Sequence, residues 1–154
     1  MKNVTNLKLG LCILSLVILG MAAIGLTGCS DDGRGGSGGN GGTNAPTSIA
    51  GRSITHSITS GSAPLPTGGT FVLHAGGNAG DVSGSYTITG SGGVTNSAGT
   101  YTYTLTDFST ATLILLDSTS NQQTDESLLF QTPSSGTFSA SAGGGTQSGT
   151  FILQ

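Results

Sequence analysis

The chain offers few side chains for acid–base or metal chemistry, and the two histidines, His56 and His74, are the first to consider. His56 shares the alternation of Ile54 and Ile58, which are predicted to face inward, whereas His74 shares the outward parity of Val72. Because successive side chains of a strand face opposite sides, the two imidazoles should not meet in one zinc site. His56 is then either a hydrogen-bonded residue near a strand end or a polar group in a barrel mouth that orients a ligand.

The acidic side chains form no convincing pair for catalysis. Asp125 and Glu126 are adjacent in a segment predicted to be the loop before the sixth strand, and neighbours on a strand would point to opposite faces. Asp107 and Asp117 flank the predicted fifth strand, where Asp commonly caps turns. A calcium site built from three of these aspartates and backbone carbonyls has no recognisable spacing. No Gly-x-Ser-x-Gly sequence lies at a strand-to-helix turn, so we expect no catalytic residue, no metal, no cofactor and no enzyme activity.

The most specific chemistry belongs to Cys29. It follows Leu26-Thr27-Gly28 at the end of an apolar run that begins near Leu9, and Lys2 and Lys8 precede that run. A basic start, an apolar run and small residues before a cut site are the parts of a secretory signal peptide. The alternative is a retained transmembrane helix, for which the run has about the minimum length.

The four residues ending at Cys29 resemble the lipobox of bacterial lipoproteins. The resemblance implies cleavage before Cys29, acyl chains such as palmitate on that cysteine, and a membrane partner reached through those chains. Ser30 stands where an Asp would resemble an inner-membrane retention signal. The expected location is therefore the bacterial cell envelope, at the periplasmic or the surface face of the outer membrane.

Removal of residues 1–28 as a signal peptide changes the charge and cysteine content of the chain. Both lysines leave with it. The remaining chain contains two arginines, Arg34 and Arg52, and seven acidic residues, which gives a formal charge of −5. An acidic chain without a basic patch argues against a nucleic-acid partner. Cys12 leaves with the signal and Cys29 carries the lipid, so the mature protein should contain no disulfide.

Composition then divides the mature chain into a linker and one domain. Residues 29–47 hold the lipidated cysteine and a run rich in Gly, Ser and Asn, which buries almost nothing and should be disordered. Residues 48–154 alternate apolar with Thr, Ser or Gly, a pattern typical of half-buried strands. About 100 residues suffice for one domain with one core.

A repeated tripeptide, Gly followed by Thr or Ser and then Phe or Tyr, organises this domain. It begins at Gly69, Gly84, Gly99, Gly136 and Gly149. We interpret the glycine as the flexible end of a turn, the hydroxyl residue as solvent-facing and the aromatic residue as the first inward side chain of a strand.

Eight strands follow from the repeat and the alternation. They are predicted at Ser53–Thr59, Thr70–His74, Ser83–Thr89, Thr100–Leu105, Thr110–Leu116, Ser127–Gln131, Gly136–Ser141 and Gly149–Leu153. Their inward residues are predicted to be Ile54, Ile58, Phe71, Leu73, Tyr86, Ile88, Tyr101, Tyr103, Leu105, Leu113, Leu115, Leu128, Phe130, Phe138, Ala140, Phe151 and Leu153. The connections are short, so the fold class is all-β, a small antiparallel up-and-down barrel that follows a signal helix and a disordered linker. A β-sandwich is the alternative.

The predicted barrel loosely resembles the calycins, the lipocalins and their relatives, in strand number, meander order and closure. Stretches such as Gly99–Tyr103 followed by Ala111–Leu113 also resemble small Thr- and Gly-rich bacterial lipoproteins of unassigned function. The expected function is that of a lipid-anchored structural or interaction module with an envelope protein or glycan as partner, and an interior filled by side chains. The alternative is a calycin-like barrel that binds a small ligand, with His56 and Tyr103 as candidate ligand-binding residues.

Overall fold

We describe residues 44–154 of a computed structural model of the protein. The predicted signal peptide, Cys29 and the linker up to residue 43 lie outside the described residues. Within the described part of the chain there are eight strands and no helix. The strands are β1 (Ser53–Gly61), β2 (Gly69–Ala75), β3 (Ser83–Ser91), β4 (Ser97–Leu105), β5 (Thr110–Asp117), β6 (Gln123–Thr132), β7 (Ser135–Ala142) and β8 (Gly145–Leu153).

The strands close into one antiparallel barrel in which each strand pairs with its neighbours in sequence. Closure comes from β1 and β8, where Ile54 lies opposite Leu153 and His56 lies opposite Phe151. The predicted up-and-down barrel is therefore confirmed, and the sandwich alternative is wrong. Closure satisfies the backbone groups that open sheet edges would expose, which suits strands with so few charged side chains.

The predicted inward parity is confirmed on all eight strands. The predicted set is buried, except for Ile88 and Leu105 near strand ends, which are partly buried and pack against the core. Adjacent outward residues such as Thr150 and Ile152 are exposed. The interior is thus built from one face of every strand, as strict alternation requires.

Two of the repeated glycines, Gly99 and Gly149, have a different role from the predicted one. Gly99 lies inside β4, directly opposite Tyr86 on β3, and Gly149 lies inside β8, opposite Phe138 on β7. A Cβ at Gly99 would overlap the carbonyl oxygen of Leu116. The glycine therefore leaves room for a neighbouring strand and for the aromatic ring across from it. The prediction that it marks the strand entrance is wrong at these positions, and β4 and β8 begin earlier.

The two ends of the barrel differ. At one end, called the plugged end, the segment before β1 packs onto the interior, where Ala45 and Ile49 are fully buried. The Ala45 N–H donates to the Phe108 carbonyl at 3.1 Å, and the Tyr103 hydroxyl donates to the Pro46 carbonyl at 2.8 Å. Packing thus begins a few residues before Ser48, where the sequence placed the start of the domain. The other end, called the open end, carries the β1–β2, β3–β4, β5–β6 and β7–β8 connections.

Candidate ligand-binding site at the open end

A cavity of about 330 Å³ lies at the open end of the barrel. Its apolar wall includes Phe71, Tyr86, Ile88 and Val94, and its polar lining includes Glu126, Gln147 and Asp117. This volume is near the lower limit of ordinary small-molecule pockets. Side chains fill the plugged end, as expected of a filled interior, whereas the open end leaves this cavity between the strands and their connections.

The polar part of the site is a buried pair formed by His56 and Glu126. Nε2 of His56 lies 2.7 Å from Oε1 of Glu126, and the two side chains are 0% and 2% exposed. Glu126 lines the cavity, and His56 lies behind it. Because a buried charge is costly unless it is partnered, the imidazole is the group that holds this carboxylate inside the barrel.

Aromatic rings fix the position of the His56 imidazole. The ring stacks on Phe71 with centroids 4.2 Å apart and planes 9° from parallel. Phe138 meets it edge-on at 4.8 Å. Phe151 on β8 lies tilted to the ring with centroids 6.4 Å apart, so β2, β7 and β8 all contribute rings around the imidazole.

The surroundings of the second ring nitrogen of His56 indicate which nitrogen of the imidazole carries the proton. Nδ1 is buried and has no hydrogen-bond partner among the described residues. A buried N–H group without an acceptor costs more free energy than a buried ring nitrogen that carries only a lone pair. The contacts thus assign the proton to Nε2, which donates to Glu126, and they leave Nδ1 unprotonated.

The rim of the cavity adds a second acidic group, Asp117. Its side chain accepts hydrogen bonds from the backbone N–H groups of Thr119 and Ser120 and from the Ser120 hydroxyl. The Ser120 bonds first, and then the Thr119 bond, lower the pKa of Asp117, so this carboxylate stays ionised at neutral pH. Burial raises the pKa of Tyr86. A hydrogen bond with Ser97 lowers this pKa, and the nearby Asp117 charge raises it. The Tyr86 hydroxyl therefore stays neutral beside the rim.

Gln147 connects the cavity wall to the loop that covers it. Its side-chain amide donates to the carbonyl of Pro66 at 3.1 Å, which ties β8 to the β1–β2 connection. Gln147 is also buried. The loop is thereby held over the cavity by a specific polar contact rather than by apolar packing alone.

The structure separates the two residues predicted to bind a ligand. His56 contributes to the open-end site through Glu126, whereas Tyr103 is buried at the plugged end and bonded to Pro46. Burial raises the pKa of Tyr103 to about 12, although Arg52 opposes the shift. His74 is exposed on the outer face, with Nδ1 2.7 Å from the Ser53 hydroxyl, so the predicted opposite facing of the histidines is confirmed. Cys29 lies outside the described residues.

Glu126 is the site residue that the sequence interpretation missed. It was placed in a loop, but β6 begins at Gln123, and the side chain of Glu126 is 2% exposed. Its parity with Leu128 and Phe130 was a usable signal, because it extends the inward alternation by one step. A charged residue before an apolar pattern instead suggested a turn.

The other acidic residues are not part of this site. Asp125 is exposed and accepts a bond from the Gln123 amide at 2.7 Å. Asp107 accepts from the Phe108 N–H, so Asp107 and Asp117 both act as turn caps, as predicted. In residues 44–154 no three His, Cys, Asp or Glu side chains gather as a possible metal site. The same residues contain no helix with the length and apolar character to cross a bilayer.

A second, shallower groove of about 590 Å³ crosses the outer face of the barrel. Outward serine and threonine side chains from β1 and from β5 to β8 border it, together with Asp125. It is larger than the open-end cavity but lies on the exposed sheet surface. We favour the open-end cavity as the ligand site because its lining combines Glu126 with the rings of Phe71 and Tyr86, whereas the outer groove has no aromatic lining.

Comparison of the chain with protein families, with curated proteins and with solved structures gave no match.

Proposed function

We propose that this protein is a lipid-anchored protein of the bacterial cell envelope whose barrel binds a small ligand in the open-end cavity. The anchor rests on the sequence ending at Cys29 and its resemblance to a lipobox. The binding role rests on one observation, the nearly inaccessible Glu126 carboxylate at the wall of a cavity of about 330 Å³.

Stability alone gives a poor reason for this arrangement. A buried ion pair contributes little net stability and is often less stable than apolar residues of the same volume. An empty, partly polar cavity forgoes packing contacts that larger side chains would supply. The buried pair and the cavity are both explained if a ligand fills the cavity and contacts the Glu126 carboxyl group.

A structural or interaction module is the second candidate. The observation in its favour is the outer groove of about 590 Å³, whose serine and threonine hydroxyls suit a glycan or a polar protein surface. This candidate does not need the open-end cavity to be occupied. The two candidates therefore differ in what a cavity-filling substitution would do.

Native mass spectrometry of the full-length protein, purified from its own envelope in a mild detergent, tests the binding proposal. The wild type should carry a stoichiometric small molecule. Ile88→Trp, which places a large ring at the cavity wall, should lose it. The matched control is Thr89→Trp, because Thr89 is exposed on the outer face of the same strand.

The outcomes separate the candidates. Loss of the bound mass in Ile88→Trp but not in Thr89→Trp supports the ligand carrier. An empty wild-type cavity in protein taken directly from the envelope contradicts it and leaves the interaction module. Retention of the bound mass in both variants would place the ligand elsewhere on the molecule.

A further inference from the structure

We infer that the open-end cavity takes a small organic cation, an ammonium or methylated ammonium group, whose positive charge pairs with Glu126. The inference rests on the proposed function and specifies the chemical class of the ligand.

The first step is the charge of the His56–Glu126 pair. His56 is the side chain that contacts the Glu126 carboxyl, with Nε2 2.7 Å from Oε1, and no lysine or arginine of residues 44–154 forms an ion pair with it. A hydrogen bond from a neutral group offsets only part of the cost of burying a carboxylate. The site thus lacks a counter-charge that a cationic ligand would bring.

The second step is the position of the protein's own cations. Arg52 is the only lysine or arginine in residues 44–154, and its charge acts on Tyr103 at the plugged end. The open-end cavity has Asp117 at its rim as a second ionised acid. The described lining residues include two acidic side chains and no lysine or arginine, so this lining favours positive charge over anions.

The third step is the apolar part of the lining. Phe71 and Tyr86 present aromatic rings to the cavity, and Ile88 and Val94 add aliphatic surface. Aromatic faces attract ammonium groups when the cation lies within about 6 Å of the ring centre. A bare metal ion would need a set of oxygen ligands, whereas rings beside one buried carboxylate suit an alkylated ammonium.

Calorimetric titration of the full-length protein in neutral detergent micelles tests the class of ligand. The probes are tetramethylammonium, choline, and the neutral alcohol in which carbon replaces the nitrogen of choline. Choline and the neutral alcohol have nearly the same shape, so their difference reports the charge. We expect at least one ammonium probe to bind, and the neutral alcohol to bind at least about tenfold more weakly than choline.

Two isosteric variants locate the charge. Glu126→Gln should weaken ammonium binding by at least about tenfold, whereas Asp125→Asn should change it by less than about twofold. Asp125 is the right control because it is the neighbouring acid on the same strand, but it is exposed. Circular dichroism of each variant checks the fold, and the comparison of choline with its neutral analogue needs no variant at all.

Failure of this inference is distinguishable from failure of the proposed function. Equal binding of choline and the neutral alcohol, unaffected by Glu126→Gln, overturns the cationic class but leaves a small-ligand carrier. Absence of binding by every ammonium probe also overturns it, and the co-purification experiment then decides the binding function separately.

Discussion

Nε2 of His56 and Oε1 of Glu126 lie 2.7 Å apart although their strands are not neighbours in the sheet. β1 pairs with β2 and β8, so a contact from β1 to β6 crosses the interior of the barrel. Apart from Gln147 and the tyrosine hydroxyls, the other buried side chains of the described core are apolar. The pair joins two walls of the barrel next to the cavity.

Removing His56 should lower stability because it leaves the buried Glu126 carboxyl without its hydrogen-bond partner. His56→Phe keeps a flat ring but removes the donor to Glu126, and we expect a loss of about 3–5 kcal/mol in the free energy of unfolding. Replacing both partners, as His56→Phe with Glu126→Leu, should recover most of that loss. Urea unfolding of the full-length protein followed by circular dichroism measures these differences.

His74→Phe is the control for the ring substitution. His74 is exposed on the outer face of β2, so the same chemical change should alter the unfolding free energy by less than about 0.5 kcal/mol. If the single His56→Phe variant were as stable as the double variant, Glu126 would not depend on the imidazole.

Substitution of Gly99 should be destabilising for a steric reason. The added Cβ of Gly99→Ala would meet the backbone of β5 at Leu116 and the ring of Tyr86, and neither can move far. We expect a loss of about 3 kcal/mol or more. Gly68→Ala is the matched control, because Gly68 has open space around its Cβ position. Equal midpoints of thermal unfolding for the two variants would contradict the close approach.

The sequence was sufficient to predict which face of each strand is inward. Alternation carries that information locally, since residues such as Phe71 and Leu73 need only be two positions apart. Barrel closure followed from the short connections and from eight strands with one apolar face each. Strand starts were less accurate because Gly99 and Gly149 suggested turns, and only the facing strand reveals why glycine is needed there.

The site was only half predictable. His56 could be placed inward by parity, but its partner lies 70 residues away and across the barrel. No local pattern encodes a contact between non-adjacent strands. The cavity itself depends on the packing of the β1–β2, β3–β4 and β5–β6 connections. The burial of Ala45 and Ile49 shows that the other end is closed by a segment outside the strands.

The lipid anchor has a direct test at Cys29. Cys29→Ala removes the thiol that would carry an acyl chain, so the full-length variant should not incorporate labelled palmitate and should accumulate as a precursor. Cys12→Ala is the control, since Cys12 lies within the segment predicted to be removed. Palmitate incorporation at the wild-type level in Cys29→Ala would contradict the anchor.

The burial of the Tyr103 phenol predicts that the protein loses stability in alkaline solution. Burial raises the pKa of its phenol from 10.0 to about 12, so the folded state holds the proton more tightly than the unfolded chain. This contribution, about 2–3 kcal/mol, is complete below about pH 10 and is lost as the pH rises through about 12. Unfolding midpoints measured across that interval should fall for the wild type.

Tyr103→Phe is the control for the alkaline effect. It removes the ionisable group at the cost of the bond to Pro46, about 1 kcal/mol at neutral pH. Its stability should then depend less on alkaline pH than that of the wild type. The same slope in both proteins would show that Tyr86, Tyr101 or another group causes the loss.

The neighbouring residues Phe151 and Ile152 test the barrel parity most directly. Phe151 is 1% exposed and packs its ring edge-on against Phe130 with centroids 4.9 Å apart, whereas Ile152 is 53% exposed. Phe151→Ala should reduce the unfolding free energy by about 3–5 kcal/mol, because it removes a buried ring and leaves a cavity. Ile152→Ala should cost less than about 1 kcal/mol, since most of that side chain is already in water. Chemical unfolding of the two variants under one set of conditions gives the comparison, and similar losses for both would mean that β8 does not present alternate residues to a closed interior.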